Sequence, residues 1–225
     1  MSRKLPRPRA AWVPVSLVAL LALAAASLAA GCGEVTPSGI VRGEELFENC
    51  YPCHGKGGGG NSSLGAPAIA GLPRWYIERQ LLNFRSSMRG ANPQDIEGAR
   101  MRPMARALYR PGDVQSVARF VSAMAVNVQG PAEMPGDTAA GRATYQNVCI
   151  TCHQEDLSGN EALGAPPLTT QPDWYMLTQL YKFKNGMRGA HPDDPMGAQM
   201  AAMSQTLADS GAMRDVIAYI RSRQR

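Results

Sequence analysis

Two short segments of the chain carry the same pattern of cysteine and histidine. Residues 50–54 read CYPCH and residues 149–153 read CITCH. Two thiols at this spacing can form thioether bonds with the two vinyl groups of one porphyrin, and the adjoining histidine can then bind the iron. The pattern therefore predicts two covalently bound haem c groups. The residues predicted to hold them are Cys50, Cys53, Cys149 and Cys152, with His54 and His153 as iron ligands.

A bare C-x-x-C pair has two other common uses. It occurs in thioredoxin-like redox dithiols and as half of a zinc site. A redox dithiol has no need of the histidine that follows, and a zinc site with four cysteines is usually built within one small module. A histidine follows the cysteine pair both times, which favours haem over both alternatives.

The N-terminal segment has the composition of an export signal. Four basic residues precede residue 10, an apolar run extends from about residue 11 to residue 30, and no acidic residue interrupts either part. Residues 28–32, LAAGC, resemble the processing site of bacterial lipoproteins, although Ala29 stands where that site prefers leucine. We therefore predict a signal peptide over residues 1–31, with Cys32 as the lipidated first residue of the mature chain.

Two other fates of this segment stay open. It is compatible with simple secretion, and also with an uncleaved anchor, because about twenty apolar residues suffice to span a bilayer. All three alternatives place the rest of the chain on the periplasmic side of a bacterial membrane, where haem c is attached.

Beyond the leader the chain is nearly neutral. The formal charge is +5, but four of the 23 basic residues precede Cys32, which leaves 19 basic against 18 acidic side chains. This balance gives no support to nucleic-acid binding. The charges are unevenly distributed, however. Residues 42–130 hold 11 basic and 7 acidic side chains, whereas residues 131–225 hold 8 basic and 10 acidic.

The chain is an internal duplication. With an offset of 99 residues the second haem motif falls on the first, and GAP, WY, QL and MRGA segments recur at the same offset. We predict two homologous domains, residues 42–128 and 138–225, joined by a linker rich in proline and glycine over residues 129–137. Each domain is small, and a haem in its centre would supply apolar volume that the chain lacks.

The hydrophobic spacing within each domain is helical. Helices are predicted over residues 44–50, 75–85 and 113–124, and over 142–149, 174–184 and 212–221 in the second domain. Strand patterns are scarce, so the predicted fold class is all-α. The remaining segments are predicted to be loops, and the glycine run of residues 57–60 is interpreted as a flexible surface turn.

These features together resemble a class I cytochrome c, repeated twice, and specifically the tandem two-haem cytochromes of the cytochrome c-four type. The resemblance covers residues 42–225. It rests on the haem motifs, on the methionine segments, and on Gly43 with Phe47 or Gly141 with Tyr145 ahead of each motif. It implies that each domain wraps around one haem, and that its first and last helices cross at the glycine.

A methionine thioether is the expected sixth ligand of each iron, because it stabilises the ferrous state and closes the site to exchange. In the family this ligand precedes a leucine by seven residues, which points to Met101 and Met200. Met104 and Met203 repeat at the same offset and stay open as alternatives. His191 aligns with Asn92 and is interpreted as a solvated loop residue.

The resemblance also implies contacts around the haem. A proline carbonyl accepts a hydrogen bond from the ligating histidine in this family, and Pro67 and Pro166 match its place. Each proline could instead only shape a turn. Independently of the resemblance, four aromatic residues are predicted to bind haem propionates through their N–H or O–H groups, because such groups need partners when buried: Trp75, Tyr76, Trp174 and Tyr175. Ordinary core packing is the alternative.

Four arginines distinguish the first methionine segment from the second. Arg100, Arg102, Arg106 and Arg110 surround Met101, whereas neutral or acidic residues occupy the equivalent positions near Met200. Our hypothesis is that they favour the reduced form of the first haem and that each end of the molecule attracts a different partner. The alternatives are a solvated arginine face and a salt-bridged contact between the domains.

The function implied is one-electron transfer between redox proteins. The donor would be a membrane complex or dehydrogenase, and the acceptor a terminal oxidase or reductase. A cytochrome subunit of a larger oxidoreductase and a diheme peroxidase are the alternatives. A peroxidase needs an open iron position and an acid–base group above it.

Overall fold

The computed structural model describes residues 39–126 and 134–224. The predicted signal peptide with Cys32, and most of the predicted linker, lie outside the described residues. Among the residues described, no helix has the length and apolar character needed to cross a bilayer.

The first domain, as described from residue 39 to residue 126, contains five α-helices. They are α1 (Ile40–Phe47), α2 (Tyr51–His54), α3 (Arg74–Arg85), α4 (Ile96–Arg106) and α5 (Asp113–Ala123). A 3₁₀ turn over Ser62–Leu64 lies between α2 and α3.

The second domain, described over residues 134–224, repeats this order. Its helices are α6 (Thr138–Thr144), α7 (Ile150–His153), α8 (Asp173–Lys184), α9 (Pro195–Gln205) and α10 (Ser210–Arg223). A π-helical turn over Tyr145–Cys149 connects α6 to α7. In the described part of the chain, extended backbone pairs only at isolated bridges, Asn61 with Ala66 and Asn160 with Ala165. The predicted all-α class is therefore confirmed.

The first and last helices of each domain cross at a glycine. A Cβ atom on Gly43 would overlap the Ser116 carbonyl oxygen of α5, and one on Gly141 would overlap the Asp215 carbonyl oxygen of α10. Aromatic pairs pack beside both crossings, with ring centroids 5.4 Å apart for Phe47–Phe120 and for Tyr145–Tyr219. The crossing implied by the family resemblance is thus present twice.

Each domain has its own apolar core. One cluster consists of Leu46, Phe47, Leu108, Val114, Val117 and Val121. The other consists of Tyr145, Leu157, Met176, Leu207, Met213, Val216, Ile217 and Ile220. The first cluster combines residues of α1 and α5 with Leu108, and the second combines Tyr145, which directly follows α6, with residues of α10 and Leu207. In each half the core therefore lies beside the helix crossing.

The methionine segments are helical, which the sequence analysis did not predict. Asp95 caps α4 by accepting from the Gly98 N–H at 3.0 Å, and Asp194 caps α9 by accepting from the Gly197 N–H at 2.9 Å. A Cβ on either glycine would overlap the capping carboxylate. The helix start is therefore encoded by Asp-x-x-Gly, a capping signal that the hydrophobic periodicity does not show.

Several side chains join the two domains. Lys182 of α8 donates to Asp95 Oδ1 at 2.5 Å and to Glu97 Oε2 at 2.6 Å in the first domain. Arg79 of α3 donates to the Gly164 carbonyl at 2.5 Å, and Gln171 donates to the Ala68 carbonyl at 3.1 Å. Among the described residues, the salt bridges between the domains are formed by Lys182 and not by the arginines around Met101, which corrects one alternative given for those arginines.

Candidate haem centres

The histidine of each motif is buried at the end of a short helix. His54 is 6% exposed, and its Nδ1 lies 2.9 Å from the Pro67 carbonyl oxygen; His153 is 8% exposed, with Nδ1 2.9 Å from the Pro166 carbonyl oxygen. A carbonyl can only accept, so Nδ1 must carry the proton, which leaves Nε2 free to bind a metal. Burial lowers the pKa of both histidines, against a smaller opposing effect of the proline carbonyl. The neutral imidazole that ligates iron is thus favoured.

A glycine in a left-handed conformation brings the proline carbonyl to the histidine. The Gly60 N–H donates to the His54 carbonyl at 2.8 Å, and Gly159 donates to His153 at 3.1 Å. The φ angle is +88° at Gly60 and +77° at Gly159. A Cβ atom on either glycine would overlap backbone atoms of the segment that contains the proline. Glycine is therefore required at both positions.

The segment of residues 56–60, predicted to be a flexible surface turn, is a turn with Lys56 and Gly57 exposed, but it is attached to the domain at Gly58 and Gly60. Gly58 is buried, and its carbonyl accepts from the Ile69 N–H at 2.8 Å and from the Ala70 N–H at 3.1 Å. This attachment does not show in the local sequence, because the partners of Gly58 come about ten residues later in the chain. The turn is a folded loop that supports the segment carrying Pro67.

The four motif cysteines are free thiols in this structure. Cys50 and Cys149 are half-buried just before α2 and α7, whereas Cys53 is exposed. Burial raises the pKa of Cys50 and of Cys149 to about 11, with a smaller contribution from the second cysteine of each motif. Because none of the four is joined in a disulfide, all four sulfurs can form thioether bonds.

The candidate methionines lie along the two unexpected helices. Met101 and Met200 are half-buried near the middle of α4 and α9. Met104 and Met203, one turn later, are 39% and 40% exposed. In both domains, therefore, the first methionine of the pair is more buried than the second.

Trp75 and Trp174 are half-buried in the first turn of α3 and α8. Each forms an edge-to-face pair with the tyrosine that follows it, with centroids 5.6 Å apart for Trp75–Tyr76 and 5.7 Å apart in the second domain. The Arg79 guanidinium carbon lies 4.9 Å from the Trp75 ring centroid, within the range of a cation–π interaction.

Two buried arginines meet between the domains, and sequence reasoning missed them. Arg89 donates to Gln80 at 2.7 Å, to Gln179 at 3.0 Å and to the Tyr175 hydroxyl at 3.2 Å. Arg188 mirrors it, donating to Gln179 at 2.7 Å, to Gln80 at 3.0 Å and to the Tyr76 hydroxyl at 3.4 Å. We call these six residues the interdomain arginine cluster. The repeated MRGA segment contains both arginines, but the repeat by itself indicates the duplication and not a contact between them.

The interdomain arginine cluster carries positive charge without an acidic partner. Both arginines are only 9% exposed, and neither forms a salt bridge with any described residue. The charge of Asp95 acts on Arg89, but its carboxylate is already paired with Lys182. Buried charges with neutral partners alone are costly. The Nε of Arg89 is also buried without an acceptor.

The residues present fit haem c. Each site offers a histidine with a free Nε2 and two free thiols, and the interdomain arginine cluster offers buried donors suited to an acidic group. Haem carries two propionates, and a guanidinium can bind a carboxylate through two parallel hydrogen bonds. When bound, the haem iron supplies a one-electron redox centre.

Comparison with known proteins supports this assignment. A family model described as cytochrome c matches residues 40–125 and again residues 138–224. The thiosulfate dehydrogenase electron acceptor of Stutzerimonas stutzeri (strain A1501) is 34% identical over 164 residues, which cover 69% of this chain and 72% of that protein. The Cbb3-type cytochrome c oxidase subunit FixP of Bradyrhizobium sp. (strain ORS 278) is 27% identical over 159 residues, covering 68% of this chain and 53% of that subunit.

A solved structure has the same architecture. The cytochrome c4 of Acidithiobacillus ferrooxidans superposes with a TM-score of 0.64 and 25% identity, over 78% of this chain and 99% of that chain. The family match extends over both halves of the described chain, and each half contains the histidine site, the free thiols and the glycine crossing. The chain therefore belongs to the cytochrome c family: it is an electron-transfer protein of two all-α domains, with one covalently bound haem c in each.

Proposed function

We propose that this cytochrome carries single electrons between other redox proteins and binds no substrate at either iron. The observation that carries the proposal is the duplication of the site. Each histidine donates to a proline carbonyl at 2.9 Å, and each domain places a half-buried methionine on a capped helix. An enzyme of the diheme peroxidase type generally needs one open iron, and thus unlike sites.

We assign the iron ligands as His54 with Met101 and His153 with Met200. The lower exposure of Met101 and Met200 supports this choice over Met104 and Met203, because a ligating thioether must be withdrawn from water. We assign Trp75 and Trp174 to the propionate edge of each haem, where their indole N–H groups would donate to propionates alongside the two buried arginines.

The test is the ferric absorption spectrum of the haem-loaded protein. The weak far-red band of methionine-ligated iron, scaled to total haem, should correspond to two such haems. A band worth one haem or none would overturn the carrier proposal, and consumption of hydrogen peroxide would then be the next measurement.

For the partners we propose a dehydrogenase as donor and a terminal oxidase as acceptor. One relative is by name the electron acceptor of thiosulfate dehydrogenase, and another is by name a subunit of a Cbb3-type oxidase. The test is stopped-flow mixing of the ferric protein with a thiosulfate dehydrogenase and thiosulfate, and of the ferrous protein with a purified Cbb3-type oxidase. Electron transfer with neither would argue for a tightly bound subunit of another oxidoreductase.

For localisation we propose a lipoprotein on the periplasmic side of a bacterial membrane, anchored through Cys32. The support is the leader sequence: a basic start, an apolar run and LAAGC at its end. The protein should incorporate labelled palmitate, and Cys32→Ser should abolish the incorporation because serine has no thiol to carry the lipid. A wild-type protein that stays at the membrane without incorporating palmitate would favour an uncleaved anchor instead.

A further inference from the structure

Five arginines form a basic surface on and beside α4 in the first domain. We call it the arginine face: Arg85, Arg100, Arg102, Arg106 and Arg110. All of them are exposed except Arg102, which is half-buried. Three lie on α4 itself, which carries Met101, and the other two lie at the end of α3 and after α4. The basic surface therefore covers the outside of the segment assigned to the first iron.

Within residues 39–126 and 134–224, no carboxylate forms a salt bridge with the arginine face. The salt bridges among the described residues involve other cations, for example Arg42 with Glu45 and Asp113. Arg102 and Arg106 both donate to the Ser87 hydroxyl at 2.9 Å, and Arg100 donates to the Leu64 carbonyl at 3.2 Å. These neutral acceptors hold the guanidinium groups in place while their positive charge remains uncompensated.

The second domain shows that this charge is not needed for folding. Arg85 donates to the Leu108 carbonyl at 3.1 Å, and Lys184 donates to the equivalent Leu207 carbonyl at 2.6 Å. Arg106 donates to the Arg85 carbonyl at 3.4 Å, whereas neutral Gln205 makes the equivalent bond to the Lys184 carbonyl at 2.7 Å. A glutamine thus performs the structural role of Arg106 without its charge.

The remaining equivalents in the second domain are also uncharged or acidic. Gln199, Ala201 and Asp209 stand where the first domain has Arg100, Arg102 and Arg110. Two domains of the same fold therefore differ in charge on the equivalent surface. Among the positions that line this surface, the first domain has five basic residues and the second has Lys184 and Asp209, whose charges cancel.

Exposed apolar side chains accompany the arginines. Met104 is 39% exposed on α4, and Tyr109, next to Arg110, is 74% exposed. Arginine, tyrosine and methionine are enriched in protein interfaces relative to other surfaces, and lysine is depleted. The composition of this surface is thus that of a docking site with a basic rim.

We propose that the arginine face is the docking surface for an acidic redox protein, which exchanges electrons with the first haem. The equivalent surface of the second domain lacks this charge, so it should not attract the same partner. The inference rests on the proposed carrier function and adds to it the location and the charge of one partner. A basic rim would accelerate association with an acidic partner, and salt would weaken this effect.

The first experiment measures binding of a fluorescently labelled polyglutamate peptide to the holoprotein by anisotropy, over a range of salt concentrations. Arg100→Gln with Arg106→Gln gives the first domain the residues of the second. This variant should bind about threefold to tenfold more weakly at low salt and with a shallower salt dependence. The reciprocal variant, Gln199→Arg with Gln205→Arg, should bind more tightly than wild type.

A control separates the surface from the net charge. Arg119→Gln with Arg142→Gln removes the same charge from exposed positions on α5 and α6. It should leave binding near the wild-type value. Equal weakening in this control, or wild-type binding by the R100Q/R106Q variant, would overturn the proposed docking surface.

A second readout follows electron transfer itself. Reduction of the ferric holoprotein by the iron(II)–EDTA dianion should slow in the R100Q/R106Q variant and not in the control. The far-red band and two reversible waves in cyclic voltammetry report on the carrier function independently. If they are absent, the carrier proposal fails; if they are present and binding is unchanged in the variant, only the docking proposal fails.

Discussion

The two domains share the geometry of the candidate haem site and differ in the charges that lie between and around them. The histidine–proline distance is 2.9 Å in both, and both cross their terminal helices at a glycine. By contrast, Lys182 in α8 pairs with Asp95 and Glu97, while the equivalent positions in the other domain are Asn83, Asp194 and Met196. The comparison teaches that the two copies are alike in the buried residues around the histidine and the helix crossing. They differ in the charged residues between and around the domains.

The interface between the domains is symmetric at its centre and asymmetric at its edge. The interdomain arginine cluster uses the same three residue types from each side. At the edge, Lys182 forms a salt bridge with Asp95. The equivalent aspartate of the second domain, Asp194, has only a longer-range electrostatic interaction with Arg79. Arg79 lies one helical turn before Asn83, the residue equivalent to Lys182. Arg79 instead hydrogen-bonds the Gly164 carbonyl. The first domain thus depends on a buried ion pair that has no direct counterpart in the second.

The largest predicted effects test whether the two iron sites are equivalent. Met101→Leu and Met200→Leu should each remove half of the far-red absorption, because each would remove one thioether ligand. Met104→Leu and Met203→Leu should leave the band intact. If the Met104 variant halves the band, the ligand assignment in the first domain is wrong. A different outcome in the two domains would break the comparison between them.

Loss of the buried ion pair should be the next largest effect. Lys182→Met leaves the Asp95 carboxylate buried without a cation, which we expect to reduce the free energy of unfolding by about 3 kcal/mol. Urea unfolding of the holoprotein, followed by circular dichroism, measures it. The matched control is Arg74→Met, which breaks an exposed pair with Glu78 and should have an effect of less than about 1 kcal/mol. Equal losses for the two variants would contradict the burial argument.

The helix crossings provide a prediction in which the domains should agree. Gly43→Ala and Gly141→Ala place a methyl group against a backbone carbonyl, so each should reduce the free energy of unfolding by about 2 kcal/mol. Thermal unfolding of the two holoproteins compares them. Gly211→Ala in α10 is the control, since its nearest neighbour would be an Asp209 side-chain oxygen at 3.0 Å. A loss confined to one domain would show that only that crossing is tight.

The smallest predicted effect is a pH dependence that comes from Glu97 in the first domain. The pKa of Glu97 lies below its ordinary value of 4.5, chiefly because Lys182 donates to its carboxylate. The ionised form therefore favours folding, and its contribution is present above pH 4.5 and is lost as the pH falls through the lower folded pKa. The Glu97 side chain is 42% exposed, so the contribution should be less than about 1 kcal/mol.

Glu97→Gln should therefore reduce the acid sensitivity of the urea midpoint. The comparison is made well above and well below pH 4.5, in wild type and variant. Met196→Gln, at the equivalent position of the second domain, is the control and should leave the acid sensitivity unchanged. If the E97Q variant keeps the acid sensitivity of wild type, Glu97 does not contribute to that sensitivity.

The sequence predicted what depends on local pattern or on the repeat. The haem motifs, the duplication and the helices that start near Trp75 and Trp174 follow from short spacings, and the structure places α3 and α8 within one residue of the predicted starts. Helices α4 and α9 were missed because their start depends on an aspartate cap and a glycine, and because their methionines were assigned only a ligand role.

The contacts between the domains could not be predicted in the same way. Lys182 follows Asp95 by 87 residues, and Arg89 meets Gln179 across 90 residues of chain. Nothing in the local sequence of Lys182 indicates that it is buried, because an aspartate elsewhere in the chain is what stabilises it there. The MRGA repeat marked both arginines, but only the fold shows that they face each other.

The dual contact of Asp95 has a consequence for the order in which the protein is completed. The same carboxylate oxygen accepts from the Gly98 N–H at the start of α4 and from Lys182 of the second domain. The carboxylate precedes its cation by 87 residues in the chain, so the cation is in place only when the second domain has folded. The helix that carries Met101 therefore gains its final support only at that point. Completion of the first domain waits for the folding of the second.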